Sequence, residues 1–151
     1  MSVQFFKTQL RRLKTIAEDE PISMERREQD LVGGLLQWGN LRTVRFEEVE
    51  FPDFHAALAV PTEPKGSGAV LYLHGGGYVC GDLRYAKGFG SVLCRESGLP
   101  VFCPAYRLAP EFPFPAALED ALTAYRWLLT CYPAEKLVFA GESAGGGLLL
   151  A

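Results

Sequence analysis

The sequence lacks several features that would each point to one class of protein. It contains no run of 18 apolar residues, so it predicts no membrane-spanning helix. Its first twenty residues hold no apolar core of the kind that a secretory leader needs, and we therefore expect a cytoplasmic location. The net charge is −3, and the basic run near the start is short. This balance argues against a nucleic-acid partner.

Metal and nucleotide sites are not indicated either. The four cysteines, Cys80, Cys94, Cys103 and Cys131, form no C-x-x-C pair, so we expect neither a zinc site nor a thioredoxin-like motif. In a chain of this size we expect them to be buried thiols in a reducing compartment, with a disulfide in a secreted protein as the alternative. Neither G-x-G-x-x-G nor G-x-x-x-x-G-K-[ST] occurs, so a nucleotide-binding fold is not favoured.

The first forty residues have a helical pattern. Hydrophobic residues make up 48% of the 151-residue chain, which is enough for one domain with a packed core. Apolar residues at spacings of three and four predict an amphipathic helix over residues 3–17. A second helix is predicted from Ser23, as its cap, to about Gln37. Residues 1–40 are therefore predicted to form a helical segment ahead of the core.

Residues 41–151 have the pattern of an α/β core. Two alternating runs around Pro52-Asp53 predict a β-hairpin. From residue 69 onward, strands and helices alternate, with strands at 69–73, 101–103 and 137–140 and helices at 85–97 and 116–129. Such alternation predicts a mostly parallel sheet with right-handed crossovers.

The first stretch that carries chemistry is Gly141-Glu142-Ser143-Ala144-Gly145, which matches G-x-S-x-G. It follows an apolar strand and precedes an apolar helix start, the context in which this pattern forms a sharp turn that exposes a serine hydroxyl. Glycine on both sides removes side chains that would clash in so tight a turn. The helix start would also direct N–H groups at a developing anion. The sequence thus predicts Ser143 as a nucleophile.

The second stretch is His74-Gly75-Gly76-Gly77, directly after the predicted strand 69–73. Consecutive glycines let backbone N–H groups approach a tetrahedral oxyanion closely. A plain flexible turn is the alternative, but three glycines in a row straight after a buried strand are unusual for one. We therefore expect this loop to form an oxyanion hole.

The third stretch is YRLAPE, from Tyr106 to Glu111, in an irregular segment rich in proline. It brings an arginine and a carboxylate close together in the chain. We expect Arg107 and Glu111 to form an ion pair that braces the loop. The role predicted for this stretch is structural.

Taken together, HGGG, YRLAPE and GESAGG, in this order and spacing, resemble the hormone-sensitive-lipase-like branch of the α/β-hydrolases, a group of carboxylesterases. The likeness runs from about residue 69 to the end. It implies the N-terminal half of an α/β-hydrolase sheet, mostly parallel after the N-terminal hairpin, with cap helices from residues 1–40. The family's usual motif is GDSAGG, and Glu142 here replaces the aspartate.

The resemblance also implies roles for the motif residues. Ser143 would be the acylated nucleophile, and the N–H groups of Gly76, Gly77 and Ala144 would form the oxyanion hole. His74 would be a structural residue that holds the glycine loop. A serine carboxylesterase of this kind acts on small, short-chain acyl esters through an acyl-enzyme intermediate. It needs no metal and no organic cofactor, so the implied partner is a small-molecule ester.

Both histidines of the chain, His55 and His74, precede Ser143. In this fold the chain order is serine, then acid, then histidine. The sequence therefore corresponds to a core that stops after the serine turn, and we expect the 151 residues alone to be inactive. An alternative base is His74 with Glu111 or Asp120 behind it, while His55 is expected to have a surface or core role.

Two other functions stay open from the sequence. A hydrolase fold without its catalytic histidine can bind a small molecule without turnover. The same nucleophile also serves amidases and deacetylases, because acyl transfer to water does not fix the leaving group. A last parallel strand with an unpaired edge further predicts an isolated chain that is poorly soluble, oligomeric or partly disordered.

Overall fold

The computed structural model describes residues 21–151, which form a five-stranded sheet covered by helices. The helix predicted for residues 3–17 lies outside this range. The elements in chain order are helix α1 (Ile22–Asn40), strands β1 (Val44–Glu50), β2 (His55–Pro61) and β3 (Ala69–Leu73), helix α2 (Leu83–Ser97), strand β4 (Val101–Ala105), helix α3 (Ala116–Cys131), a 3-10 turn (Ala134–Lys136), strand β5 (Leu137–Gly141) and helix α4 (Ala144–Leu149).

The sheet combines parallel and antiparallel pairs in the order β1-β2-β4-β3-β5. Strand β3 lies between β4 and β5 and is parallel to both, as the alternation of strands and helices predicts. The hairpin joins them through β2, which runs antiparallel to β4. The α/β fold class is confirmed, and the five-stranded sheet of residues 21–151 is mixed.

Both faces of strand β3 are buried, which explains its continuous apolar run. All five residues of this strand are buried. On one face, Leu71 and Phe102 pack with Leu128 of α3. On the other face, Val70 and Val101 pack around α2. The described chain therefore has three layers, with helices on both sides of the sheet.

Helix α1 crosses α2 at very short range. A Cβ added to Gly88 would lie 2.5 Å from the Cα of Gly33, so glycine at both positions lets the two backbones touch. Because of this packing, α1 continues past Gly33 and Gly34 and ends at Asn40. The N-cap is Pro21, whose extended backbone leads into the first turn without a side-chain cap, so the prediction that Ser23 caps the helix is wrong.

The cysteines agree with the sequence prediction at three of four positions. Cys80, Cys94 and Cys103 are free and buried, and burial raises the pKa of the Cys94 thiol to about 11. Cys131 is also free but exposed. It ends α3, in which Leu128 is the last buried residue, so the prediction of burial is wrong at this position.

The edge of the sheet that is formed by β5 is apolar. Strand β5 pairs with β3 on one side, and among residues 21–151 no strand pairs with its other side. Val138 and Phe139 of β5 are about half exposed, at 52% and 49%. This is the unpaired edge that the sequence indicates, and its effect on solubility and association stays a prediction.

Membrane insertion through a helix finds no support in the part of the chain that the structure describes. None of its helices combines the length and the apolar character needed to cross a bilayer.

Two neighbouring leucines of α3 test the packing of this helix on the sheet. Leu128 is fully buried, whereas Leu129 is 39% exposed. We expect Leu128→Ala to lower the free energy of unfolding by about 2–5 kcal/mol, because it leaves a cavity in the core. The matched change Leu129→Ala is expected to have an effect of less than about 1 kcal/mol. Urea denaturation followed by circular dichroism measures the free energy of unfolding of both variants. Equal losses of stability would contradict the packing of Leu128 in the core.

Candidate active site

The glycine loop and the serine turn meet at one edge of the sheet. Strand β3 is parallel to β5, with Leu73 opposite Gly141. Because parallel strands end at the same edge, the loop after β3 and the turn after β5 are neighbours. A Cβ added to Gly75 would lie 3.3 Å from the Cβ of Ser143. Two of the three motifs from the sequence are therefore in direct contact.

Ser143 occupies a strained backbone conformation between β5 and α4. Its φ is 47° and its ψ is −118°, a region that residues with side chains rarely adopt. A Cβ on Gly141 would lie 2.7 Å from the carbonyl oxygen of Gly145, and one on Gly145 would overlap the carbonyl oxygen of Leu73. This is the tight turn that G-x-S-x-G indicates, and it leaves Ser143 exposed.

The loop after β3 curls through three left-handed residues. Gly76, Gly77 and Tyr78 have φ values of 118°, 61° and 65°. The carbonyl oxygen of Gly76 accepts hydrogen bonds from the N–H groups of Val79 (3.0 Å) and Cys80 (2.9 Å). The first two positions favour glycine because a side chain would be strained there.

Three backbone N–H groups beside Ser143 are available to a ligand. Those of Gly76, Gly77 and Ala144 donate to no acceptor within residues 21–151. Gly76 and Gly77 belong to the loop after β3, and Ala144 begins α4. These are the donors that the family resemblance implies for an oxyanion hole, and backbone amides of this kind stabilise a developing negative charge.

His74 supports the glycine loop from inside the fold. It is fully buried, and its Nδ1–H donates to the carbonyl oxygen of Gly75 at 2.8 Å. Its ring stacks on Tyr106 with centroids 4.1 Å apart, and the Tyr106 hydroxyl donates to the His74 carbonyl oxygen at 2.5 Å. Burial lowers the pKa of His74, so a neutral ring is favoured at this position.

The alternative base is not assembled in the structure. Glu111 is held by Arg26, and Asp120 is held by Arg107, so neither acid contacts His74. His55 begins β2 and pairs with Glu50 at the surface. Strand β2 lies three strand spacings from β5, or about 14 Å. His55 is therefore too far from Ser143 to act as its base, and neither Glu111 nor Asp120 stands behind His74.

Glu142 connects the serine turn to strand β3, helix α2 and the glycine loop. Its Oε1 accepts hydrogen bonds from the hydroxyls of Tyr72 (2.7 Å) and Tyr85 (3.0 Å) and from the Gly75 N–H (3.4 Å). Burial and then the bond to Glu142 raise the pKa of Tyr85 to about 12, and the same two causes raise that of Tyr72 further. One carboxylate oxygen thus joins three separate segments.

The ion pairs of the YRLAPE segment differ from the prediction. Arg107 pairs with Asp120, which is 2% exposed and also accepts the Arg107 backbone N–H at 2.8 Å. Glu111 pairs instead with Arg26 of α1 at 2.8 Å. The expected pair of Arg107 with Glu111 is therefore wrong, because each residue finds a partner on a helix packed against the segment.

Sequence reasoning missed three supporting residues, Arg26, Tyr72 and Tyr85, while Tyr106 belongs to the stretch for which it predicts a structural role. Tyr72 sits inside the apolar run of β3, where its hydroxyl was the one polar signal. A buried hydroxyl requires a hydrogen-bond partner, but the partner is 70 residues away. The sequence could therefore indicate a polar contact without identifying Glu142 as its acceptor.

The contact between Tyr85 and Glu142 has a defined pH dependence. We expect Tyr85→Phe to lower the free energy of unfolding by about 1–3 kcal/mol near neutral pH, since one donor to a charged group is lost. The folded state favours the protonated phenol. The stabilisation is therefore complete below the unfolded pKa of about 10 and is lost as the pH rises towards 12.

Urea denaturation of both proteins between pH 7 and 11 measures this difference. Tyr125→Phe, at a half-buried tyrosine of α3, is the matched control. A difference between wild type and Tyr85→Phe that grew above pH 10 would contradict the assignment.

Comparison with known proteins places this geometry in a family. A family model described as an alpha/beta hydrolase fold matches residues 70–151. An ethyl acetate hydrolase of Pseudomonas putida is 45% identical over 85 residues, covering 53% of this chain and 27% of the relative. A versiconal hemiacetal acetate esterase of Emericella nidulans is 46% identical over 78 residues, covering 52% of this chain and 27% of the relative.

A solved esterase of the bacterial hormone-sensitive lipase family has a TM-score of 0.71 at 36% identity, covering 86% of this chain and 43% of that one. The chain thus spans about a quarter of the length of the two curated relatives and less than half of the solved esterase. The family match begins inside β3 and runs through the serine turn, over more than half of the chain. The resemblance seen in the motifs is confirmed, and the chain belongs to the alpha/beta hydrolase fold family.

Proposed function

We propose that Ser143 is the nucleophile of a serine carboxylesterase that hydrolyses small, short-chain acyl esters through an acyl-enzyme intermediate. One observation carries the proposal. An exposed serine in a strained turn lies beside three backbone N–H groups that have no acceptor within residues 21–151. The ester-hydrolase names of the relatives support the same reaction class.

In the first half of the reaction, Ser143 Oγ forms a bond to the ester carbonyl carbon, and the carbonyl π electrons move onto the oxygen. The N–H groups of Gly76, Gly77 and Ala144 stabilise that oxyanion. A general base takes the Oγ proton and passes it to the leaving alkoxide as the ester C–O bond breaks. Fixed backbone donors need no reorganisation during the reaction, and one such donor is worth about 10²–10³ in rate.

In the second half, water replaces the serine as the attacking group. The base removes a proton from water, the new oxyanion uses the same N–H groups, and the C–O bond to Ser143 breaks with return of the proton to Oγ. The products are the free carboxylic acid and the regenerated serine. The same donors therefore act twice in each turnover.

The general base is not one of the histidines of this chain. His74 is buried and bonded to Gly75, and His55 pairs with Glu50 at the surface. We therefore propose that the 151 residues supply the nucleophile and the oxyanion donors. They do not supply the acid and the histidine of the triad, and we expect this chain alone to be inactive towards esters when no base is added.

A cavity beside the glycine loop supports an apolar acyl group. Its volume is about 410 Å³, which suits a small ligand. Gly77 of the glycine loop borders it directly. The rest of the lining is mostly apolar and comes from residues 107–114, from α3 and α4, and from Ala151: Ala109, Phe112, Phe114, Ala117, Leu118, Leu148 and Ala151, together with Tyr78 and Arg107.

A second candidate function is binding of a small molecule without turnover. The observation in its favour is that both histidines are engaged elsewhere. This candidate requires the cavity but not the reactivity of Ser143. The two functions therefore differ in whether Ser143 forms a covalent acyl adduct.

The test exposes the chain to p-nitrophenyl butyrate with imidazole as a soluble replacement for the missing base. We expect imidazole-dependent butyrylation of Ser143, seen by mass spectrometry of the peptide that contains it, and release of p-nitrophenol above the background of imidazole alone. Ser143→Ala is expected to abolish the adduct and to reduce the protein-dependent rate at least about a hundredfold.

Ser97→Ala, at the exposed last residue of α2, is the control and is expected to react like the wild type. An adduct that persists in Ser143→Ala would show that another group is the nucleophile. Binding of the ester without any adduct would favour the non-catalytic candidate. Replacing the ester with butyryl p-nitroanilide measures the preference between ester and amide.

A further inference from the structure

A single arginine of α1 contacts both loops that border the candidate site. The Nε–H of Arg26 donates to the carbonyl oxygen of Val79 at 2.7 Å, and a terminal N–H donates to the carbonyl oxygen of Ala109 at 3.1 Å. Its two terminal nitrogens also bind the Glu111 carboxylate at 2.9 and 2.8 Å. Such a set of acceptors matches the planar guanidinium, and the point charge of a lysine cannot reproduce it.

Val79, whose carbonyl oxygen Arg26 binds, is the residue that closes the turn in the glycine loop. The Val79 N–H donates to the carbonyl oxygen of Gly76 at 3.0 Å, which closes the turn from inside. The Ala109 N–H donates to the carbonyl oxygen of Tyr78 at 2.8 Å, which joins the turn to the YRLAPE segment. Arg26 therefore binds the two peptide segments that are already bonded to each other.

External support of this kind matters because the turn itself is built from glycine. Gly76 and Gly77 have positive φ and lose more conformational freedom on ordering than any other residue type. The direction of their N–H groups follows the backbone between Gly75 and Val79. A contact that fixes Val79 therefore also restricts the two donors.

The charges around Arg26 favour a geometric role over a large contribution to global stability. The side chains of Arg26 and Glu111 are 31% and 52% exposed. The hydrogen bond from Arg26 lowers the pKa of Glu111 to about 2, so the pair is ionised at neutral pH. Ion pairs this exposed contribute little to the free energy of unfolding. The two backbone carbonyls are the partners that connect Arg26 to the site.

We propose that Arg26 is a positioning residue for the oxyanion loop. By binding the carbonyl oxygens of Val79 and Ala109, it holds the glycine turn against α1 and fixes the direction of the Gly76 and Gly77 N–H groups. This inference rests on the proposed function of that loop. It gives α1 a role in the chemistry in addition to its packing on α2.

The experiment compares Arg26→Lys with the matched control Arg27→Lys, at the exposed next residue of the same helix. Amide hydrogen exchange is measured by NMR at Val79, Cys80 and Ala109, whose N–H groups close the turn. We expect about tenfold faster exchange at these amides in Arg26→Lys, since a charge-assisted hydrogen bond is lost. Arg27→Lys is expected to match the wild type.

The same variants are then tested for Ser143 butyrylation at a range of ester concentrations. Arg26→Lys is expected to lower the maximal acylation rate about tenfold, while the half-saturating concentration stays within about twofold. Glu111→Gln, which keeps the two carbonyl contacts, is expected to lose less than Arg26→Lys. A larger loss in Glu111→Gln would point to the ion pair instead of the carbonyl contacts.

Each outcome has a defined meaning. Unchanged exchange at Val79, Cys80 and Ala109 overturns the inference. Faster exchange with an unchanged acylation rate also overturns it, because Arg26 would then support the loop without positioning the donors. If Arg26→Lys exchanges faster than the wild type but the wild type itself is not acylated, the proposed esterase function is contradicted. The faster exchange would still show that Arg26 restrains the glycine loop.

Discussion

The parallel pairing of β3 with β5 is the constraint on which the candidate site depends. It places Leu73 opposite Gly141, so both strands end together and the two loops that follow them are neighbours. Slipping a strand by one residue would turn its side chains to the opposite face of the sheet. Both faces of β3 are buried, so the packing of the core and the meeting of the loops require the same register.

Hydrogen bonds from several directions hold the glycine loop against the serine turn. His74 holds Gly75 from within the core, and Glu142 reaches the Gly75 N–H from the serine turn. Arg26 holds Val79 from α1. The backbone geometry of both segments is strained or glycine-dependent, and strained conformations persist only where the surroundings determine them. The supporting contacts and the strain are therefore parts of one arrangement.

The sequence predicted what depends on local pattern and missed what depends on distant contacts. Strand β3 has the predicted bounds, because a buried parallel strand is a continuous apolar run. The serine turn was equally predictable, since its glycines and flanking apolar segments are all local. The predicted cap of α1 and the predicted ion-pair partner of Glu111 were wrong. The chain around Glu111 contains Arg107, but the arginine that binds it lies 85 residues away.

One oxygen of Glu142 accepts hydrogen bonds from the hydroxyls of both Tyr72 and Tyr85, and this has a consequence for the evolution of the fold. The glutamate side chain brings Oε1 within 2.7 and 3.0 Å of the two hydroxyls. An aspartate, as in the usual GDSAGG motif, ends one methylene closer to the backbone, so with the backbone unchanged its carboxylate would lie farther from both hydroxyls. Positions 72, 85 and 142 are therefore expected to co-vary among relatives. Glutamate would accompany the tyrosine pair, and aspartate would accompany its loss.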